Sequence, residues 1–175
     1  SSAASDVYKR QTTDDRIIYS QRPDVTFGFN NTFNYKGFDL SVFLYARLGQ
    51  WIAYDYNTTY RINALENGGN VDYWTPENPT NAFPRPNKSK SYTQVTYYST
   101  LKYEDGSFFK IRDITLGYTF KPELLKHLNL SKLRVYATAK NFFTFSKIDN
   151  YDPEQGGSIS FPMTKQLVFG LNVEF

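Results

Sequence analysis

The sequence has no cysteine, one histidine, one methionine and two tryptophans in 175 residues. Without cysteine there is no disulfide and no thiolate metal site. The single His127 has no nucleophile or cysteine beside it in the sequence, so catalysis is not expected of it and a surface position on a turn accounts for it. No apolar run approaches the roughly 18–20 residues that a membrane-crossing helix needs. The first residues lack the apolar centre of a secretory leader, so an exported protein of this sequence is expected to have a further N-terminal part. Charge of one sign is also lacking. The 20 basic and 17 acidic residues give +3 and are scattered, so no basic footprint for nucleic acid is present. Asn78-Pro79-Thr80 has a glycosylation outline, but Pro in the middle excludes it.

Aromatic residues are abundant: 15 Tyr, 15 Phe and 2 Trp make 18% of the chain, yet the hydrophobic share is an ordinary 40%. Mean hydropathy is −0.56. Transmembrane β-barrels reconcile these facts, because their apolar residues alternate with polar ones while aromatic girdles raise Phe and Tyr. The last stretch has that pattern. Leu167, Phe169, Leu171, Val173 and Phe175 are apolar at every second position, with Gln166, Val168, Gly170, Asn172 and Glu174 between them. A period of 2 marks a strand with two unlike faces, and its length suits a tilted strand crossing a bilayer.

Further strands follow from the same alternation. Residues 24–35 carry Val25, Phe27, Phe29 and Phe33 on one face, interrupted at Asn31. A tight Tyr35-Lys36-Gly37 turn leads to 38–48, with Phe38, Leu40, Val42, Leu44 and Ala46 on one face. Residues 107–120 place Phe108, Lys110, Arg112, Ile114, Leu116, Tyr118 and Phe120 on one face, so Lys110 and Arg112 are expected above the hydrocarbon. Residues 133–141 form another strand. The connections alternate between short and long. Residues 12–23 are a loop, 49–106 a long loop with a short helix expected within 55–66 and a strand within 91–103, and 142–164 a second loop. A helical turn is expected over 123–127 in the moderate connection. A connection as long as 49–106 is improbable inside a compact soluble domain and ordinary on the outer side of a barrel. The fold class is therefore all-β: an antiparallel up-and-down transmembrane β-barrel segment of about five to seven strands, a partial barrel with long extracellular loops.

Several stretches resemble, in order, the C-terminal portion of SusC/RagA-type TonB-dependent outer-membrane transporters of Bacteroidetes. They are Phe38-Asp-Leu-Ser-Val42 after a Lys-Gly turn, Tyr73-Trp-Thr-Pro-Glu-Asn-Pro-Thr-Asn81 with Phe83-Pro-Arg85, and Ser107-Phe-Phe-Lys-Ile-Arg-Asp-Ile-Thr-Leu-Gly-Tyr118. Arg134-Val-Tyr136, Lys140-Asn-Phe-Phe-Thr144, Tyr151-Asp-Pro-Glu154 and Phe169-Gly-Leu-Asn-Val-Glu-Phe175 complete the series. The resemblance implies a larger barrel with a plugged lumen. Residues 1–11 share no pattern with the rest and are expected to be scar sequence; 12–175 would be the C-terminal part of the barrel, with the plug and earlier strands missing.

The resemblance further implies an outer-membrane importer of oligosaccharides or peptides, acting with a SusD-like surface lipoprotein and with TonB through an absent N-terminal region. Outer-membrane lipid and the barrel-assembly machinery are the other implied partners, and Phe175 is the residue such machinery would read. No cofactor, metal or enzymatic activity is implied. The alternative is a soluble all-β carbohydrate-binding module, which would bury both hairpins in a sandwich. Trp51, Tyr73 and Trp74 are candidates for contact with substrate or partner through their amphipathic rings, against loop packing or an interfacial girdle as the plainer role. Asp152 and Glu154 in Tyr-Asp-Pro-Glu are expected to form a turn, with Asp152 capping its own backbone, rather than a catalytic or calcium-binding pair.

Overall fold

The computed structural model describes residues 17–58, 70–85 and 101–175. Five long strands form one antiparallel sheet in the order β1-β2-β5-β6-β7. They are β1 (Val25–Tyr35), β2 (Phe38–Leu48), β5 (Phe108–Thr119), β6 (Lys132–Ser146) and β7 (Gln166–Glu174). Two short strands, β3 (Trp51–Ala53) and β4 (Tyr103–Asp105), pair as a separate ribbon. The ribbon continues the β2–β5 pair past a break at Gly49, with Gln50 Nε2 donating to the Gly106 carbonyl at 2.7 Å. The expected up-and-down order is therefore present, and 49–106 opens and closes through a paired stem. Residues 1–11 lie outside the described residues, as does most of the stretch expected to hold a strand over 91–103. Of the helix expected within 55–66, α1 (Asp55–Thr58) is described.

The register gives the sheet two unlike surfaces. On one side Phe29 pairs with Leu44, Phe33 with Leu40, Leu40 with Leu116, Leu116 with Ala137 and Ala137 with Phe169. This apolar surface is uncovered: Leu116, Phe169 and Leu171 are 51%, 77% and 69% exposed. The opposite surface is polar. Ser41 bonds Asn30 at 3.3 Å, Thr115 bonds Thr138 at 2.8 Å, and Arg134 Nε donates to Asp39 at 2.9 Å. That last pair reaches across β5 because the strand carries Gly117 there: a Cβ would stand 2.5 Å from the Asp39 carboxylate and 2.6 Å from the Arg134 guanidinium.

β5 corrects the uninterrupted alternation expected over 107–120. Its register shifts at Arg112 against both neighbours: Ile111 pairs with Leu44 and Phe143, whereas Ile114 pairs with Val42 and Ala139. Against β2 one extra residue stands in β5, so the faces exchange there; against β6 the surplus lies in β6, where Asn141 and Phe142 stand opposite Arg112. Phe109 and Ile111 join Ile114, Leu116 and Tyr118 on the apolar surface. Phe108, Lys110 and Arg112 turn to the polar one. The basic residues thus avoid the apolar surface by changing sides, not by height. β6 corrects a second expectation. It runs on to Ser146, past a left-handed Asn141 (φ 58°), because Phe143 and Phe145 pair with Ile111 and Phe109. At the other end, α2 (Pro122–Leu125) and a 3-10 turn (Lys126–Leu128) close the β5–β6 connection, burying Leu125 and leaving His127 exposed.

The β1–β2 turn has Lys36 at φ 47° and Gly37 at φ 90°. Two successive positive φ values match the twist of paired strands. A Cβ on Gly37 would also lie 2.8 Å from the Thr119 carbonyl of β5. Gly37→Ala should therefore cost about 1–3 kcal/mol, read as a lower denaturant midpoint for the detergent-solubilised full-length protein. Lys36→Asn, which tolerates this backbone, should leave the midpoint unchanged or raise it.

Candidate functional site

The loops at the end of the sheet where β2 and β6 finish, and β5 and β7 begin, carry most of the expected contact residues. Trp51 opens β3. Its amide donates to the Ser20 carbonyl at 2.7 Å and its ring meets Tyr19 at 4.7 Å, which in turn stacks on Tyr103 at 4.9 Å. Tyr73 and Trp74 belong to a different patch. Tyr73 bridges Phe83, and the Trp74 amide donates to the Phe83 carbonyl at 3.0 Å. Phe83 is buried against Val71 and Leu101. The three rings are 37%, 42% and 38% exposed, so each presents part of its surface while the rest packs. Among the described residues they form two patches, not one. Phe175 lies at the opposite end of the sheet, just past the Lys132–Glu174 pair, and is 92% exposed.

Sequence reasoning missed a charged cluster on the polar surface. Lys110 is fully buried, and its Nζ sits 2.7 Å from both Asp152 Oδ2 and Glu154 Oε2. Arg112, at the bulge, reaches Glu154 Oε1 at 3.1 Å, and its guanidinium lies 5.3 Å from the Tyr45 ring centre. The expected turn is also present: Asp152 Oδ1 accepts from the Glu154 amide at 3.0 Å, and Pro153 opens a 3-10 turn (Pro153–Gln155). One side chain thus caps its own turn and pins the loop to the wall. Two cations face two carboxylates, which offsets the cost of taking Lys110 out of water. The sequence held one signal: a basic pair on an otherwise apolar face, with two carboxylates in a later loop.

The pinned loop, 147–165, also packs on the ribbon. Ile148 joins Ile52 and Tyr54 in a buried cluster, and the Asp55 amide donates to the Gly157 carbonyl at 2.9 Å. Between the top of β6 and this loop lies a cavity of about 490 Å³, lined by residues that include Thr144, Asp149, Asn150, Tyr151 and Met163. Its frame is tied by Ser146 Oγ donating to the Ile148 carbonyl at 2.7 Å and by Asn141 Nδ2 donating to the Thr164 carbonyl at 3.2 Å. Nearby, burial pushes the Tyr54 phenol up, with the Asn150 side chain acting against it.

Asp105 closes the ribbon. The Ser107 hydroxyl, first, holds its carboxyl below the usual range against partial burial; the Ser107 amide (3.0 Å) and Lys147 (3.0 Å) act the same way. A depressed folded-state pKa gives stability that is complete above the unfolded value of about 3.9 and is lost as pH falls through the lower folded value. The protection factor of the Gly106 amide, its exchange rate taken relative to the free-peptide rate at the same pH, should therefore fall below about pH 4, and Asp105→Asn should lower it already at neutral pH and abolish that acid step. Lys110→Met should cost about 3–5 kcal/mol by stranding the Asp152 carboxylate and leaving Glu154 with Arg112 alone, and should expose 147–165 to protease. Adding Asp152→Asn and Glu154→Gln should recover most of the loss in the same denaturant titration.

No family model matches the chain. It is similar to the TonB-dependent receptor P3 of Formosa agariphila, with 29% identity over 94% of this chain and 18% of that protein. It is similar to the TonB-dependent receptor SusC of Bacteroides thetaiotaomicron, with 30% identity over 92% of this chain and 16% of the receptor. The fold is similar to the RagAB peptide importer in its closed-closed state, at a TM-score of 0.73 and 28% identity over 94% of this chain and 19% of that one. The chain therefore spans less than a fifth of each relative's length. A two-faced five-stranded sheet, matched along almost its whole length by these proteins, is a piece of barrel wall. The chain belongs to the SusC/RagA-type TonB-dependent receptors of the outer membrane and forms a segment of their β-barrel.

Proposed function

We propose that this chain is part of the wall of an outer-membrane nutrient importer that takes up oligosaccharides or peptides together with a SusD-like surface lipoprotein. The uncovered apolar surface carries the reading. Five strands present Phe27, Leu116, Phe169 and Leu171 on one side and hydrogen-bonded polar groups on the other. In lipid, backbone groups must be satisfied within the structure, so the free edges of β1 and β7 require further strands. Residues 12–175 supply the C-terminal part of that wall. A plug and a TonB-engaging region upstream would energise uptake, and Phe175 would present the chain end to the barrel-assembly machinery. Trp51, Tyr73 and Trp74 face ligand or lipoprotein from the long-loop end, which lies outside the cell. The alternative of a soluble carbohydrate-binding sandwich lacks support, since it needs the Leu116 and Leu167–Phe175 surface covered.

This chain has no cysteine, so once any cysteine elsewhere in the full receptor is replaced, single cysteines placed in it report on its orientation. In the full receptor on intact cells, Tyr73→Cys and Asp149→Cys should react with an impermeant maleimide. His127→Cys should react only after the outer membrane is permeabilised, and Phe169→Cys only after detergent extraction. Labelling of His127→Cys from outside, or recovery of the receptor in the soluble fraction, would overturn the reading.

A further inference from the structure

The importer reading leaves the ligand class open, and the cavity between β6 and loop 147–165 bears on it. We propose that this cavity is a binding subsite for one neutral pyranose unit of a glycan, an inference that rests on the importer reading. Its volume, about 490 Å³, falls in the range of small-molecule sites. It stands at the long-loop end, against the polar surface that carries Thr144 and Ser146.

The two arms of the loop give it unlike walls. The top of β6 and the arm leaving it contribute Thr144, Asp149, Asn150 and Tyr151. The arm returning to β7 contributes Pro162 and Met163. A pyranose ring has the matching character, with C–H groups on its faces and hydroxyls around its edge. Aromatic and apolar surface suits the faces, and amide and carboxylate groups suit the edge.

The free charges of the lining, Asp149 and Lys165, balance, so no net charge selects an ionic ligand. Asp152 is committed to Lys110, and Lys165 lies over the Phe142 ring at 6.0 Å. Asp149 remains as the exposed carboxylate of the lining, a hydroxyl acceptor. The walls are also pre-set. The Lys110 cluster, the Ser146–Ile148 bond and the Asn141–Thr164 bond hold both arms, so little ordering is left for a ligand to drive. None of Trp51, Tyr73 and Trp74 lines this cavity.

The test uses the full receptor in detergent, with maltotriose, cellotriose and trialanine as calorimetric probes. At least one trisaccharide should bind saturably. Met163→Trp, which fills the cavity, and Asp149→Ala, which removes the edge acceptor, should each weaken it tenfold or more at an unchanged denaturant midpoint. Trp74→Ala should leave that affinity within twofold. Trisaccharide binding indifferent to both cavity variants would overturn the location. Trialanine binding that both variants abolish, without trisaccharide binding, would overturn the ligand class. Either result leaves the importer reading standing, which fails instead through the cysteine pattern above.

Discussion

The constraint on which the sheet depends is that each strand keep its apolar side chains on one surface while its backbone stays paired. Three of the five long strands meet it by simple alternation, and β6 meets it across an irregularity at Asn141 and Phe142. β5 meets it only because an extra residue at Arg112 exchanges its faces midway. Without that exchange Lys110 would stand among Leu44, Ala46 and Phe145 on the apolar surface. With it, Lys110 becomes the buried centre of a cluster that fixes the loop between β6 and β7. A device that solves a problem of side-chain placement also builds the long-loop end of the wall.

That loop and the β3–β4 ribbon form one packed body. Ile148 closes on Ile52 and Tyr54, Gly157 accepts from Asp55, and Lys147 pairs with Asp105. The ribbon is itself the continuation of β2 and β5. Two segments far apart in sequence are thus joined to the same strands, one by backbone pairing and the other by charge. The cavity beside them has its shape because both attachments hold.

Much of the wall was legible in the sequence. Strict alternation from Leu167 to Phe175, and from Phe38 to Ala46, leaves one arrangement in which a face can be buried or lipid-exposed. The Lys36-Gly37 turn was legible because two positive φ values are affordable there. What escaped was decided between strands. The β5 bulge depends on how β2 and β6 align with it, and a single strand's pattern does not contain that. The run from Phe142 to Ser146 read as loop because two adjacent phenylalanines after Asn141 break the period, although β6 continues through them. Asp152 and Glu154 were placed correctly in a turn. Their partner lies 42 and 44 residues away, and no local rule connects those positions.

The bulge at Arg112 has a genetic counterpart. In most proteins a change of chemistry on a surface requires several substitutions. In this strand the identity of the surface from Phe108 to Ile111 depends on the count of residues, so loss of a single codon would exchange the two faces of that segment at once. Insertions and deletions of one residue are therefore a separate route by which such walls can diverge. They alter the lining of the lumen wholesale while the composition of the chain barely changes.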